Sequence, residues 1–131
     1  MDELKELLFG IRGVDEIIGT LKSPSTILLA GTTGVGKTSF CLQILSHAAK
    51  NGEKTLYIPF TTESPEKLKM YYSRMNFFDD RIHIHPINRS ISEKDPLSTL
   101  IDIGNIVGST KPDRVVLDPV TPLGFGFIEP E

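Results

Sequence analysis

A chain of 131 residues is long enough for one hydrophobic core and too short for two ordinary domains, and its 39% hydrophobic and 24% charged residues are those of a soluble globular domain. The formal charge of −3 and a pI near 5.6 give no general attraction to nucleic acid or to an anionic membrane. One cysteine, Cys41, excludes an internal disulfide, and no leading apolar stretch behind basic residues or run near about 18 apolar residues is present, so a cytoplasmic home with no membrane contact is expected.

Asp2 to Phe9 carries Leu4, Leu7 and Leu8 at helical spacing, which predicts a short amphipathic helix laid against the body. Gly10 to Ile18 follows, two glycines and then acidic residues opening a short apolar helical turn. Lys22 to Ser25 reads as a turn into a first buried strand, Ile27-Leu28-Leu29-Ala30, whose continuous apolar run suits a parallel sheet.

Gly31-Thr32-Thr33-Gly34-Val35-Gly36-Lys37-Thr38 then fits G-x-x-x-x-G-K-[ST], the loop that cradles phosphates. The chemistry needs these residue types. Gly31, Gly34 and Gly36 let the backbone turn tightly and aim successive N–H groups at one anion, where side chains bearing a Cβ would obstruct. The helix that follows adds the positive end of its dipole and its first-turn N–H groups. Lys37 can reach the β and γ phosphates, and the Thr38 hydroxyl can complete the shell of a Mg²⁺ bridging them. Residues 31–39, ending at Ser39, are the candidate nucleotide contacts, and strand, loop and helix in that order are the context the motif demands.

Ser39 to Lys50 predicts the helix, with Phe40, Leu42, Ile44, Leu45, Ala48 and Ala49 supplying more apolar surface than one face needs, and Gly52 sits where a left-handed cap would stop it. Lys54 to Phe60 reads as the second strand, ending near Pro59. Thr61-Thr62-Glu63 would lie at its C-terminal end, where open α/β sheets bind ligands. Ser64 as N-cap and Pro65 at the first helical position open a helix with a Leu68, Tyr71, Tyr72 and Met75 stripe. Arg81 to Ile87 predicts a third strand with His83 and His85 on one polar face; a metal site there would want a third ligand, and none stands at a useful spacing. Asn88 to Lys94 is polar and loop-like. Asp95-Pro96 starts a helix with Leu97, Leu100, Ile101, Gly104 and Val107 on one face, ended by Gly108 to Pro112. Arg114 to Asp118 reads as a fully buried parallel strand running into an aspartate at the ligand edge, and Pro119 to Glu131 as an extended tail.

The Gly10 to Ile18 segment, the loop at 31–38, Thr62-Glu63-Ser64-Pro65 and Arg114 to Asp118 together resemble a KaiC-type or RadA-type ATP-binding domain of the RecA superfamily along nearly the whole chain. The fold implied is a three-layer α/β/α domain with a mainly parallel sheet, a P-loop NTPase core that stops early. The same resemblance makes ATP and Mg²⁺ the ligands, Asp118 the Walker B aspartate that holds the metal through water, and Glu63, beside Lys37, the catalytic carboxylate that orients the attacking water. Departures from the family pattern are Arg12 in place of a frequent proline and Thr62 where a second glutamate is common, which leaves only Glu63 for hydrolysis. Domains of this type continue well past the Walker B strand, with a strand between it and the loop strand. In this chain the expectation is therefore a fragment of a longer protein, a sheet that closes up, or a gap filled by another copy or another chain. Three functions follow as alternatives: a Mg-ATP-binding protein that hydrolyses ATP slowly, a non-catalytic nucleotide-binding regulatory module, and a small P-loop kinase. Nucleic acid is not an expected partner of this chain alone.

Overall fold

The computed structural model describes residues 5–7, 10–11, 16, 21–23, 36–88 and 96–118. The predicted strand 27–30, the loop residues Gly31 to Val35 and the tail at 119–131 lie outside them. Five strands and three helices alternate among the described residues: β1 (Lys5–Leu7), β2 (Leu21–Ser23), α1 (Lys37–Lys50), β3 (Thr55–Pro59), α2 (Pro65–Tyr72), β4 (His83–Ile84), α3 (Pro96–Thr110) and β5 (Arg114–Asp118).

Of the amino-terminal helix expected over Asp2 to Phe9, the described residues, Lys5–Leu7, are strand instead. Lys5–Leu7 pairs antiparallel with Leu21–Ser23, Lys5 opposite Ser23 and Leu7 opposite Leu21. A lone helix of eight residues would be marginal, because nucleation costs more than so few hydrogen bonds return, whereas a ribbon pairs the same backbone groups with a distant segment. Lys22 and Ser23 accordingly belong to β2 and not to a turn.

The parallel sheet has the order β4-β3-β5. Pro59 opposes Asp118, and the Phe60 N–H donates to Asp118 O at 3.0 Å, so the ends of β3 and β5 stand level. The predicted strand over Arg81 to Ile87 is reduced to His83–Ile84 plus a bridge between Ile87 and Phe60. His85 N–H reaches Tyr57 O and Ile87 N–H reaches Pro59 O, each at 2.9 Å, so Pro86 falls at the alternate position whose missing donor would point away from β3. β5 is only partly buried, with Val115 38% exposed, against the expectation of full burial. Among the described residues β5 pairs with β3 alone.

Strand alternation sorts the core onto two faces. On one, Tyr57 packs with Leu42, Leu45 and Ala49 of α1, Leu68 and Tyr72 of α2, and Ile82. On the other, Leu56, Ile58 and Phe60 pack on Ile103 of α3, with Ile106, Val107 and Leu117 around them. This is the expected α/β/α layering. The α1 sequence is apolar nearly all round because it is covered nearly all round, with Leu42, Leu45, Ser46, Ala48 and Ala49 buried.

Two helix faces differ from the expected ones. Tyr71 is 61% exposed, and α2 ends at Tyr72, which leaves Met75 to pack from the turn beyond it. In α3, Leu97, Leu100, Ile101 and Gly104 are exposed, while Thr99 and Ile103 are buried. The helix also runs through Gly108 to Thr110, and it stops at Lys111, which adopts φ 52 ahead of Pro112.

The end of α1 shows why Gly52 stands where it does. Its φ is 86, its N–H bonds Ala49 O at 3.1 Å, and the Glu53 N–H reaches back to Ala48 O at 3.0 Å, the paired bonds of a left-handed helix stop. The chain then turns into β3, whose start is tied to β5 by a two-pronged ion pair from Arg114 to Glu53 at 2.8 and 3.1 Å.

Beyond α2, Asp79 is buried and fixes the approach to β4. Its carboxylate takes the Arg81 guanidinium at 2.9 and 2.7 Å and the Arg81 N–H at 2.9 Å, while its own N–H donates to Ser46 Oγ on α1. The Arg81 hydrogen bonds hold its carboxyl down to about 2, below the ordinary carboxylate value. A folded-state value below the unfolded one means stability that is fully present above about pH 4 and lost as pH falls toward about 2. Urea midpoints of the wild type and Asp79→Asn should therefore differ most at neutral pH and converge between about pH 4 and pH 2; a constant gap would show that the carboxylate charge is not what matters.

Candidate nucleotide and metal site

α1 begins two residues earlier than the apolar pattern suggests, at Lys37, so Lys37, Thr38 and Ser39 make its first turn. Gly36 is the cap residue, with φ 86, a conformation open to glycine and costly to residues with a Cβ. It offers no side-chain cap, and the first bond within the helix runs from Phe40 N–H to Gly36 O at 2.9 Å. An α-helix carries its positive dipole end on its first turn, and that turn of α1 meets the carboxyl edge of the sheet through Thr38.

That edge holds the predicted aspartate. Thr38 Oγ1 donates to Asp118 Oδ2 at 2.7 Å, joining residues 80 apart in the chain. A second donor converges on the same oxygen: the Tyr57 hydroxyl, at 2.5 Å. Sequence reasoning missed Tyr57. The signal was present in the alternation of β3, since Tyr57 opposes Val116 and so shares a face with Asp118 two residues on, but it needs the β3–β5 register to be seen. Burial, and then the bond to Asp118, push the Tyr57 phenol far up, so it stays a donor at any working pH. Cys41, one turn along α1 from Thr38, is pushed up to about 11 by burial with the Asp118 charge adding to it, so its thiol is protonated and unreactive at neutral pH.

Glu63 lies just past β3 and immediately before Ser64, which caps α2 by accepting the Lys67 N–H at 3.2 Å. Its carboxylate is exposed and pairs with Lys67 at 3.0 Å, and its N–H is held by Thr61 Oγ1 at 3.2 Å. The structure therefore brings together Thr38 and Asp118, sets Lys37 and Ser39 beside them on the same turn, and turns Glu63 toward α2. Gly31, Thr32, Thr33, Gly34 and Val35 lie outside the described residues.

The donor set suits Mg²⁺. A hydroxyl and a carboxylate, 2.7 Å apart, are hard oxygen ligands, and among the described residues no group of three or more His, Cys, Asp or Glu could hold a metal alone. A metal here would draw its remaining ligands from phosphate and water, as Mg²⁺ does beside nucleotides. His83 in β4 and His85 just past it are both exposed, and that strand pairs with β3 on the side opposite β5.

A family model described as "ATPase: KaiC" matches residues 8–127. The chain belongs to the KaiC-type ATPase family. Within the RecA superfamily this KaiC-type chain is also 30% identical over 112 residues to the DNA repair protein RadA of Mycolicibacterium smegmatis, a match covering 85% of this chain and 22% of that protein. It is 39% identical over 57 residues to RadA of Campylobacter jejuni, covering 44% of this chain and 13% of that one. A third relative, a UPF0273 protein of Pyrococcus horikoshii, is 44% identical over 50 residues, 37% of this chain and 20% of its own. The KaiC-type chain thus spans about a fifth or less of these curated relatives. No helix among the described residues is long and apolar enough to cross a membrane.

Proposed function

We propose that the protein binds ATP with Mg²⁺ at the α1–β5 edge and hydrolyses it slowly, with water as the attacking nucleophile. The reading rests on one observation above others: the hydroxyl that ends the phosphate-loop octapeptide is hydrogen-bonded to the aspartate that ends β5. A phosphate loop and a carboxylate at adjoining sheet ends are the two halves of a triphosphate and metal site. In this reading residues 31–39 cradle the phosphates, Lys37 neutralises the β and γ groups, Thr38 ligates Mg²⁺, and Asp118 holds the metal's water shell. Bound Mg²⁺ would supply charge neutralisation on the γ-phosphate. Family membership supports ATP over other nucleotides. Assembly with further copies, completion of the sheet by another chain, and a cytoplasmic home belong to the same proposal.

Glu63 is the assigned orienter of the attacking water. Release of its pairing with Lys67 is required first, because a carboxylate engaged by that ammonium is turned aside toward α2. Steady-state phosphate release by the wild type should fall about 10²-fold in Glu63→Gln, with ATP affinity within about twofold. The exposed Glu63–Lys67 pair favours one second reading, a nucleotide-binding module that regulates a partner without turnover. That reading prevails if the wild type binds ATP tightly and releases no phosphate at any protein concentration.

A further inference from the structure

The Asp118 carboxylate receives two hydroxyl donors on one oxygen, and they are of different kinds. Thr38 is at the partly exposed mouth of the site, where its oxygen can bind a metal and still donate its proton. Tyr57 is 1% exposed, in the middle of β3, with α1 and α2 packed over it. Its ring meets Tyr72 edge to face at 5.7 Å, and Tyr72 leans on Phe78 at 6.0 Å. A phenol held that way puts its proton on Asp118, and leaving it unpaired in the core would be costly.

We propose that Tyr57 is the positioning residue for Asp118: its locked phenol pins Oδ2 and so leaves Oδ1 presented to the water shell of a nucleotide-bound divalent cation. Tyr57 is too deeply covered to touch nucleotide or metal, so it acts only through the aspartate. The inference rests on the reading of Asp118 as the metal-side carboxylate and adds to it the source of that carboxylate's orientation. A strand-end aspartate held by Thr38 alone would depend for its orientation on a single side chain that also answers to the metal. The tyrosine comes from a second strand, so the orientation is kept in both the loaded and the empty site.

The test is ATP binding by titration calorimetry, with Mg²⁺ and with EDTA, on wild type, Tyr57→Phe, Asp118→Ala, the double variant and Phe78→Leu. Phenylalanine keeps the ring and its packing and removes only the donor. Tyr57→Phe should lose about tenfold of the Mg²⁺-dependent gain in affinity while binding in EDTA stays within about twofold. The double variant should match Asp118→Ala, and Phe78→Leu, which loosens the packing on Tyr72 and leaves both tyrosine hydroxyls in place, should keep the gain. The inference is overturned if Tyr57→Phe keeps the full Mg²⁺ gain, if it loses affinity equally with and without Mg²⁺, or if Phe78→Leu does the same damage. A wild type that binds ATP in neither condition would instead overturn the nucleotide reading on which the inference stands.

Discussion

Lys37→Ala will weaken MgATP binding by about 10- to 150-fold while leaving the fold intact. The size follows from the loss of hydrogen bonds between a charged donor and charged phosphate oxygens, each worth about 1.5–3 kcal/mol, converted at about 1.4 kcal/mol per tenfold. Folding should survive because Lys37 is the first residue of α1, alanine is the best helix former, and α1 is anchored further along by Leu42 and Leu45. Titration calorimetry gives the affinity and far-ultraviolet circular dichroism the fold. Unchanged affinity in a folded variant would remove the octapeptide from the phosphate site, and with it the functional reading. The variant tests the loop and is silent on whether turnover follows, which the Glu63 comparison decides.

Leu45→Ala will cost about 2–5 kcal/mol of unfolding free energy, a large share of the roughly 5–15 kcal/mol a domain of this kind has to spend. Leu45 is 0% exposed and belongs to the cluster in which α1 meets Tyr57, Leu68, Tyr72 and Ile82. Truncation would leave a cavity between helix and sheet that neither can close without moving. Because the same helix carries Lys37 and Thr38 at its first turn, any tilt would also stretch the Thr38–Asp118 bond, so nucleotide affinity should fall along with stability. The control is Ile101→Ala on α3, where the side chain is 56% exposed and the cost should stay within about 0.5 kcal/mol. Equal urea midpoints for the two variants would show that the α1–sheet core does not hold the domain together.

Much of the architecture was legible because it is written locally. Gly52 at the stop of α1, Ser64 and Pro65 at the start of α2 and Pro96 at the start of α3 all stand where their neighbours alone require them. The order of strand and helix from α1 to β5 followed from apolar runs and their spacing. The face of α3 did not. Leu97, Leu100, Ile101, Gly104 and Val107 repeat at helical spacing, and so do Thr99, Ile103, Ile106 and Thr110; a period cannot choose between two faces that both satisfy it, and of the first set Val107 packs against the core. The sheet chose the second, since Leu56, Ile58 and Phe60 offer a surface that Ile103 and Ile106 fill. Likewise Leu4, Leu7 and Leu8 are compatible with a helix, and pairing of Lys5–Leu7 with Leu21–Ser23 made it a strand.

By itself, then, the amino-acid order determined a glycine-rich octapeptide ending in Lys37 and Thr38, the order of strands and helices from α1 to β5, the stop of α1 and the starts of α2 and α3. These depend on backbone angles and on neighbours within a few residues. Only the tertiary structure decided that Thr38 and Tyr57 share one oxygen of Asp118, at separations of 80 and 61 residues, and that Glu63 rests against Lys67. The physical reason is register: a hydrogen bond between residues so far apart exists only once β3 and β5 have paired with Pro59 beside Asp118 and α1 has packed across them, and no local pattern carries that alignment.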